Sequence, residues 1–186
     1  IYKAGNMGLF SIRNYIPYGC GASDIGKVRQ NNEDAFFIDN NSGLYIVCDG
    51  MGGHNAGEVA SAKCIEEIRA YISREFDYSS DYTELLSAAM RSANSIIYAM
   101  SCSDSSLKKM GTTVAALLIK KDKYYAVWCG DSRIYLFRKN NLKRLSKDHS
   151  KVQMLIDAGV ITEEKAWKHP ERNIILSAVG ISENPE

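Results

Sequence analysis

Hydrophobic positions recur along this chain at two different spacings, and the changes between them divide it into segments. Ala35 to Asp39 and Leu44 to Cys48 are short apolar runs separated by Asn40-Asn41-Ser42-Gly43, which predicts a strand, a turn and a strand. From Glu58 the spacing lengthens. Val59, Ala62, Ile65, Ile68, Ile72 and Phe76 recur every three or four residues, the mark of an amphipathic helix. A second helix follows with Tyr82, Leu85, Leu86, Ala89, Ala93, Ile96, Ile97 and Met100 on one face. Asp81, with Glu84 three residues later, signals its start. Thr113 to Ile119, Tyr124 to Cys129 and Ile134 to Arg138 return to strand character. Lys120-Lys121-Asp122-Lys123 gives a polar turn among them, and Asn140-Asn141 suits a tight hairpin before Leu142 to Leu145. Ser150 to Gly159 reads as a short helix, with Ser150 and Gln153 as a capping box and Gly159 as the stop. Thr162-Glu163-Glu164 starts another turn, and Lys168 to Asn173 reads as a surface loop before Ile174-Ile175-Leu176.

Strands joined by such short turns pair antiparallel, because a parallel crossover needs a dozen or more residues. Two successive helices flanked by these strands make an α+β fold rather than a βαβ one. The 186 residues show no internal repeat, low-complexity tract or Pro/Gly-rich linker, so one domain spanning 1–186 is expected.

Composition narrows the function by exclusion. A formal net charge of +1 argues against a general nucleic-acid binder, which carries a basic excess or stripe. No apolar run approaches the roughly 20 residues of a membrane helix. Ile1-Tyr2-Lys3 lacks the charged-then-apolar opening of a signal peptide, so a cytoplasmic protein is expected. The five cysteines, Cys20, Cys48, Cys64, Cys102 and Cys129, sit beside apolar residues without a Cys-x-x-Cys pair. They are expected to be buried and reduced, with no zinc or redox role. Nucleotide-binding, zinc-protease and nucleophile-elbow motifs are absent from the sequence.

Three acidic stretches carry candidate chemistry. Leu44 to Cys48 delivers Asp49 at a strand end, followed at once by Gly50-Met51-Gly52-Gly53-His54. Gly50 has no Cβ, so its backbone can bend to set its carbonyl beside the Asp49 carboxylate. Oxygen donors of that kind suit hard cations such as Mg2+ or Mn2+. Cys129-Gly130-Asp131-Ser132-Arg133 is a second acidic strand end, and Arg29-Gln30-Asn31-Asn32-Glu33-Asp34 precedes the first strand. Arg29 offers a planar fork that matches a phosphate, and Glu33 and Asp34 are placed to hold cation-bound waters. Taken singly, each stretch also reads as an ordinary turn or charged loop, with Arg133 pairing locally with Asp131.

Their order along the chain is specific. Arg29-x-x-Asn32-Glu33-Asp34, Asp49-Gly50-Met51-Gly52-Gly53-His54 with Gly57-Glu58, Gly111-Thr112-Thr113, Gly130-Asp131-Ser132-Arg133 and Asp148-His149-Ser150 together resemble the metal-dependent (PPM, type 2C) serine/threonine protein phosphatases, bacterial branch. The resemblance runs from residue 22 to residue 180 and includes that family's mobile flap, residues 150–172. It implies two antiparallel sheets packed as a sandwich with helices on both outer faces. It implies two Mn2+ or Mg2+ ions, with Asp49 bridging both and the Gly50 carbonyl joining one. Asp131 would serve a third, more weakly held ion, and Arg29 would bind the substrate phosphate. A water bridging the metals would attack phosphorus in line. The implied partners are phosphoserine and phosphothreonine proteins and an opposing bacterial protein kinase.

Two departures accompany the resemblance. Where some members have a histidine after the Asp-Gly pair, this chain has Met51, whose thioether cannot donate a proton. The family's later Asp-Gly-Leu and Asp-Asn motifs have no counterpart after Gly180, where only Ile181 to Glu186 follow. The expectation is therefore a C-terminally incomplete catalytic domain whose cations are poorly held. The alternative is a non-catalytic relative that binds a phosphoprotein or kinase as a regulator.

Overall fold

The structure, a computed structural model, describes residues 3–6, 16–53 and 56–184. Its centre is a six-stranded antiparallel sheet. Five strands run in the order β1 (Lys3–Asn6), β6 (Lys123–Cys129), β5 (Val114–Lys120), β3 (Leu44–Met51) and β2 (Asp34–Asp39), and β4 (Gly111–Thr112) pairs with the far end of β3. A second sheet, β7 (Tyr135–Arg138) with β8 (Asn141–Arg144), is a single hairpin. The α+β class with antiparallel sheets is as the sequence predicts. Among the described residues the second sheet has only these two strands, and both long helices lie on one side of the first.

Those helices are α1 (Ala56–Glu75) and α2 (Tyr82–Ser103), which pack on each other and on the inner sheet face. Leu44, Ile46 and Cys48 of β3 alternate inward and are buried, while Tyr45, Val47 and Asp49 between them point the other way. Helix α1 answers with Ala60, Cys64, Ile65, Ile68 and Ile72, and α2 with Leu85, Leu86, Ala89, Ala93 and Ile97. Each buried leucine or isoleucine among them contributes about 1.5–3 kcal/mol of transfer free energy, and the alanines less. Asp81 caps α2 through its carboxylate, which accepts the Thr83 and Glu84 backbone N–H groups.

Several local expectations shift. Helix α1 begins at Ala56, two residues before Glu58, and Ala62 is exposed because Ser61 and Cys64 take the inward face. Phe76 lies beyond α1, in a short 3-10 turn. The hairpin between β7 and β8 turns on Lys139 and Asn140, at φ 51° and 56°, one residue earlier than expected. That is the positive-φ pair a type I′ turn demands, and it leaves Asn141 paired with Arg138. Only the first half of the capping box forms on α3 (Lys151–Asp157). Ser150 Oγ accepts the Gln153 N–H, whereas the Gln153 side chain binds Arg144 and Asp157. Cys48, Cys64 and Cys129 are buried thiols, but Cys20 and Cys102 are exposed, against expectation. A hydrogen bond with Cys48, and burial after it, push the Cys64 thiol well above its ordinary pKa, so it stays protonated.

Among the described residues no helix is long and apolar enough to cross a membrane.

Candidate active site at the ends of the central strands

Three strand ends meet at one edge of the large sheet. Strands β2 and β3 pair with Asp34 directly opposite Asp49. On the other side of β3, Thr113 N–H donates to the Asp49 carbonyl (2.8 Å). Strand β6 ends at Cys129, and Gly130 then turns the chain into Asp131 with φ +101°. A Cβ on Gly130 would lie 2.6 Å from Thr113 Cγ2, so both the backbone angle and the space call for glycine.

Gly50 has a different reason to be glycine. A Cβ there would overlap the carbonyl of Gly57 in the first turn of α1 and lie 2.7 Å from the Glu33 carbonyl. The end of β3 is thus pressed against the helix start and the segment before β2. Glu33 O seals the contact by accepting Gly50 N–H (3.1 Å) and Ser61 Oγ–H (2.7 Å).

The electrostatics of this edge are unfavourable by themselves. Two like charges directly opposite on paired strands repel. The Asp49 side chain reaches solvent, yet desolvation raises its carboxyl above the usual carboxylate range, with the Asp34 and Asp131 charges raising it further. Burial is also the first cause raising Asp131, partly opposed by its own backbone N–H. An acidic focus with raised pKa values marks a place where a cation would be welcome.

The remaining expected residues are close by in the chain but differently engaged. Arg29 Nη1 donates to Glu33 Oε2 at 2.8 Å, and the Arg29 side chain stays 71% exposed while that of Glu33 is 14% exposed. The Arg29 fork is therefore steadied from one side and open to solvent. Asp34 is exposed, with its N–H donating to Asn32 Oδ1. Arg133 does not pair with Asp131. It makes a forked ion pair with buried Asp148, through Nε (3.0 Å) and Nη2 (2.6 Å), which ties the two loops together. His149 is structural here: its N–H donates to Gly130 O (2.9 Å) and its Nδ1 accepts Gly130 N–H (3.2 Å). His54 lies outside the described residues.

Among the described residues, no three His, Cys, Asp or Glu side chains converge tightly enough to cage a metal by themselves. The donor chemistry still fits Mg2+ or Mn2+, which take one or two carboxylates and keep several waters. Asp49, the neighbouring Gly50 carbonyl and Asp131 are oxygen donors of that kind.

Residues 20–179 match the family described as Protein phosphatase 2C. The chain belongs to that family. Protein phosphatase 2C relatives include the serine/threonine protein phosphatase PstP of Mycobacterium tuberculosis, 41% identical over 157 residues, which covers 84% of this chain and 30% of PstP. The serine/threonine phosphatase Stp of Listeria welshimeri is 36% identical over 169 residues, covering 86% of this chain and 65% of that protein. Among solved protein phosphatase 2C structures, the PstP catalytic domain in complex with two manganese ions superposes with a TM-score of 0.75 at 35% identity. That match covers 100% of this chain and 70% of the other. The chain thus spans less than two thirds of the length of these two curated relatives.

Two contributors to this edge escape the sequence patterns. Thr113 belongs to a recognised motif but shows no chemistry in the sequence, and in the fold its hydroxyl accepts Asp49 N–H (3.1 Å). Ser132 reads as a turn residue, and its Oγ lies 2.6 Å from Thr113 Oγ1.

Proposed function

We propose that the protein hydrolyses phosphoserine and phosphothreonine on other proteins, using two divalent cations and opposing a protein kinase in the cytoplasm. The observation that carries this reading is the meeting of Asp49 and Asp131 beside Asp34 at one sheet edge, where burial raises the Asp49 and Asp131 carboxyls above the usual range. Family membership gives that edge its chemical class.

In this reading Asp49, the Gly50 carbonyl and Asp131 would hold the divalent cations, Mn2+ or Mg2+, through their oxygen atoms. When bound, the cations supply Lewis-acid polarisation of the phosphoryl oxygens and a water acidic enough to attack at neutral pH. The chain's own residues do the rest. Asp34 and Glu33 lie at the rim, where their carboxylates can orient cation-bound waters. Arg29, steadied by Glu33, presents its remaining N–H groups to the phosphate and stabilises charge on the transferring group. Met51 offers no proton to the leaving alkoxide, so that proton comes from water. The comparisons supply no support for the regulatory, non-catalytic alternative.

Phosphate release from phosphothreonine and phosphotyrosine peptides at millimolar Mn2+ tests the reading, with Arg29→Ala alongside. Preference for phosphothreonine, with a raised KM in the variant, is expected. Equal turnover of both peptides, unchanged in Arg29→Ala, would overturn the substrate class and the Arg29 role together.

A further inference from the structure

Between β4 and β5 the pairing with β3 fails at one position, Thr113, and the failure has a chemical form. On either side the register is continuous, with Val47 opposite Ala115 and Gly50 opposite Thr112, so Asp49 stands opposite Thr113. There one half of the ladder is ordinary, since Thr113 N–H donates to Asp49 O (2.8 Å). The other half is not. Asp49 N–H donates to the Thr113 side chain, Oγ1 at 3.1 Å, while the Thr113 carbonyl accepts Thr112 Oγ1–H at 2.9 Å.

The same hydroxyl oxygen lies 2.6 Å from Ser132 Oγ, one residue past Asp131. Its methyl group fills the space left by the missing Cβ of Gly130, one residue before Asp131. Thr113 itself is 1% exposed and touches both acidic strand ends without bringing a charge to either. Replacing a main-chain acceptor with a side-chain one frees the ladder from fixed spacing and ties β3 to the β6 turn through a single oxygen.

We infer that Thr113 is a positioning residue for the cation site, its hydroxyl setting the separation between Asp49 and Asp131. The inference rests on the proposed role of those two carboxylates. Serine retains the hydroxyl and loses the methyl; valine retains the shape and loses the hydroxyl. Second-layer hydrogen-bond partners of cation ligands are commonly worth about 10- to 100-fold in metal affinity.

Mn2+ binding by titration calorimetry is measured for the protein, Thr113→Val, Thr113→Ser and Ser132→Ala, with folding checked by thermal melts in chelator. The expected result is about 10- to 100-fold weaker binding in Thr113→Val, recovery of most of it in Thr113→Ser, and a smaller loss in Ser132→Ala. Affinity unchanged in folded Thr113→Val, or lost equally in valine and serine variants, would overturn the inference. Amide hydrogen exchange at Asp49 in the metal-free protein gives an independent reading. Exchange faster in Thr113→Val than in Thr113→Ser supports the link, and equal exchange refutes it. If the parent binds no Mn2+, the cation reading of Asp49 fails, whereas the exchange data still decide whether Thr113 holds that strand end.

Discussion

Replacing Asp49 by asparagine removes one negative charge from a crowded edge while leaving the backbone bonds to Thr113 and Gly50's packing against α1 in place. Two opposite effects follow. Without metal, the variant is relieved of the repulsion from directly opposed Asp34, a cross-strand like-charge pair worth about 0.2–1 kcal/mol. For a chain of this length that is a rise in Tm of about 0.5–4 °C. The sign with pH follows from the raised carboxyl of Asp49. A folded-state pKa above the unfolded one means the native state holds its proton more tightly. The parent therefore keeps this stability below the ordinary carboxylate pKa of about 3.9 and loses it as pH rises through the folded-state value. Asp49→Asn has no such loss, so its advantage appears at neutral pH and vanishes in acid. Millimolar Mn2+ reverses the order, because binding stabilises only the state that holds the ion. Melting curves in chelator and in Mn2+, at neutral and acidic pH, measure all of this. An Asp49→Asn protein that is less stable than the parent in chelator at both pH values would refute the reasoning and make Asp49 a structural residue.

Other substitutions separate the scaffold from the site. Gly50→Ala drives a Cβ into the Gly57 and Glu33 carbonyls, both main-chain atoms, and should lose at least about 1–3 kcal/mol in urea denaturation. Arg133→Ala strips buried Asp148 of its forked partner. A loss near the lower end of about 3–5 kcal/mol is expected, since Arg144 Nη1 remains 3.8 Å away. Asp81→Ala removes the α2 cap and should lower stability by about 1 kcal/mol with phosphatase activity unchanged, as read by denaturation and phosphate release.

The elements that periodicity dictates were legible in the sequence. The 3.6-residue stripe of α2 leaves only one way to bury its apolar side chains, whereas Leu44 to Cys48 reads as an unbroken apolar run and the fold decides that Leu44, Ile46 and Cys48 face inward. Exceptions arise where small residues blur the pattern, as at Ala62, whose face is decided by Ser61 and Cys64 packing inward. Positive φ at Lys139 and Asn140 could not be read from residue type alone, because lysine rarely adopts it. At the site, Asp49 and Asp131 were visible as carboxylates at strand ends. Their approach was not, because it depends on the register placing Asp34 opposite Asp49 and on Thr113 between β3 and the β6 turn. Arg133 is a further case: its partner is Asp148, fifteen residues away, rather than the adjacent-turn Asp131.

Cation-dependent hydrolysis at Asp49 is tested most directly by phosphate release from a phosphothreonine peptide as Mn2+ is titrated from zero, in the parent and in Asp49→Asn. Turnover that requires Mn2+, saturates with it, and falls by orders of magnitude in the variant at every concentration is expected. Turnover that persists in chelator, or an Asp49→Asn protein as active as the parent, would contradict it.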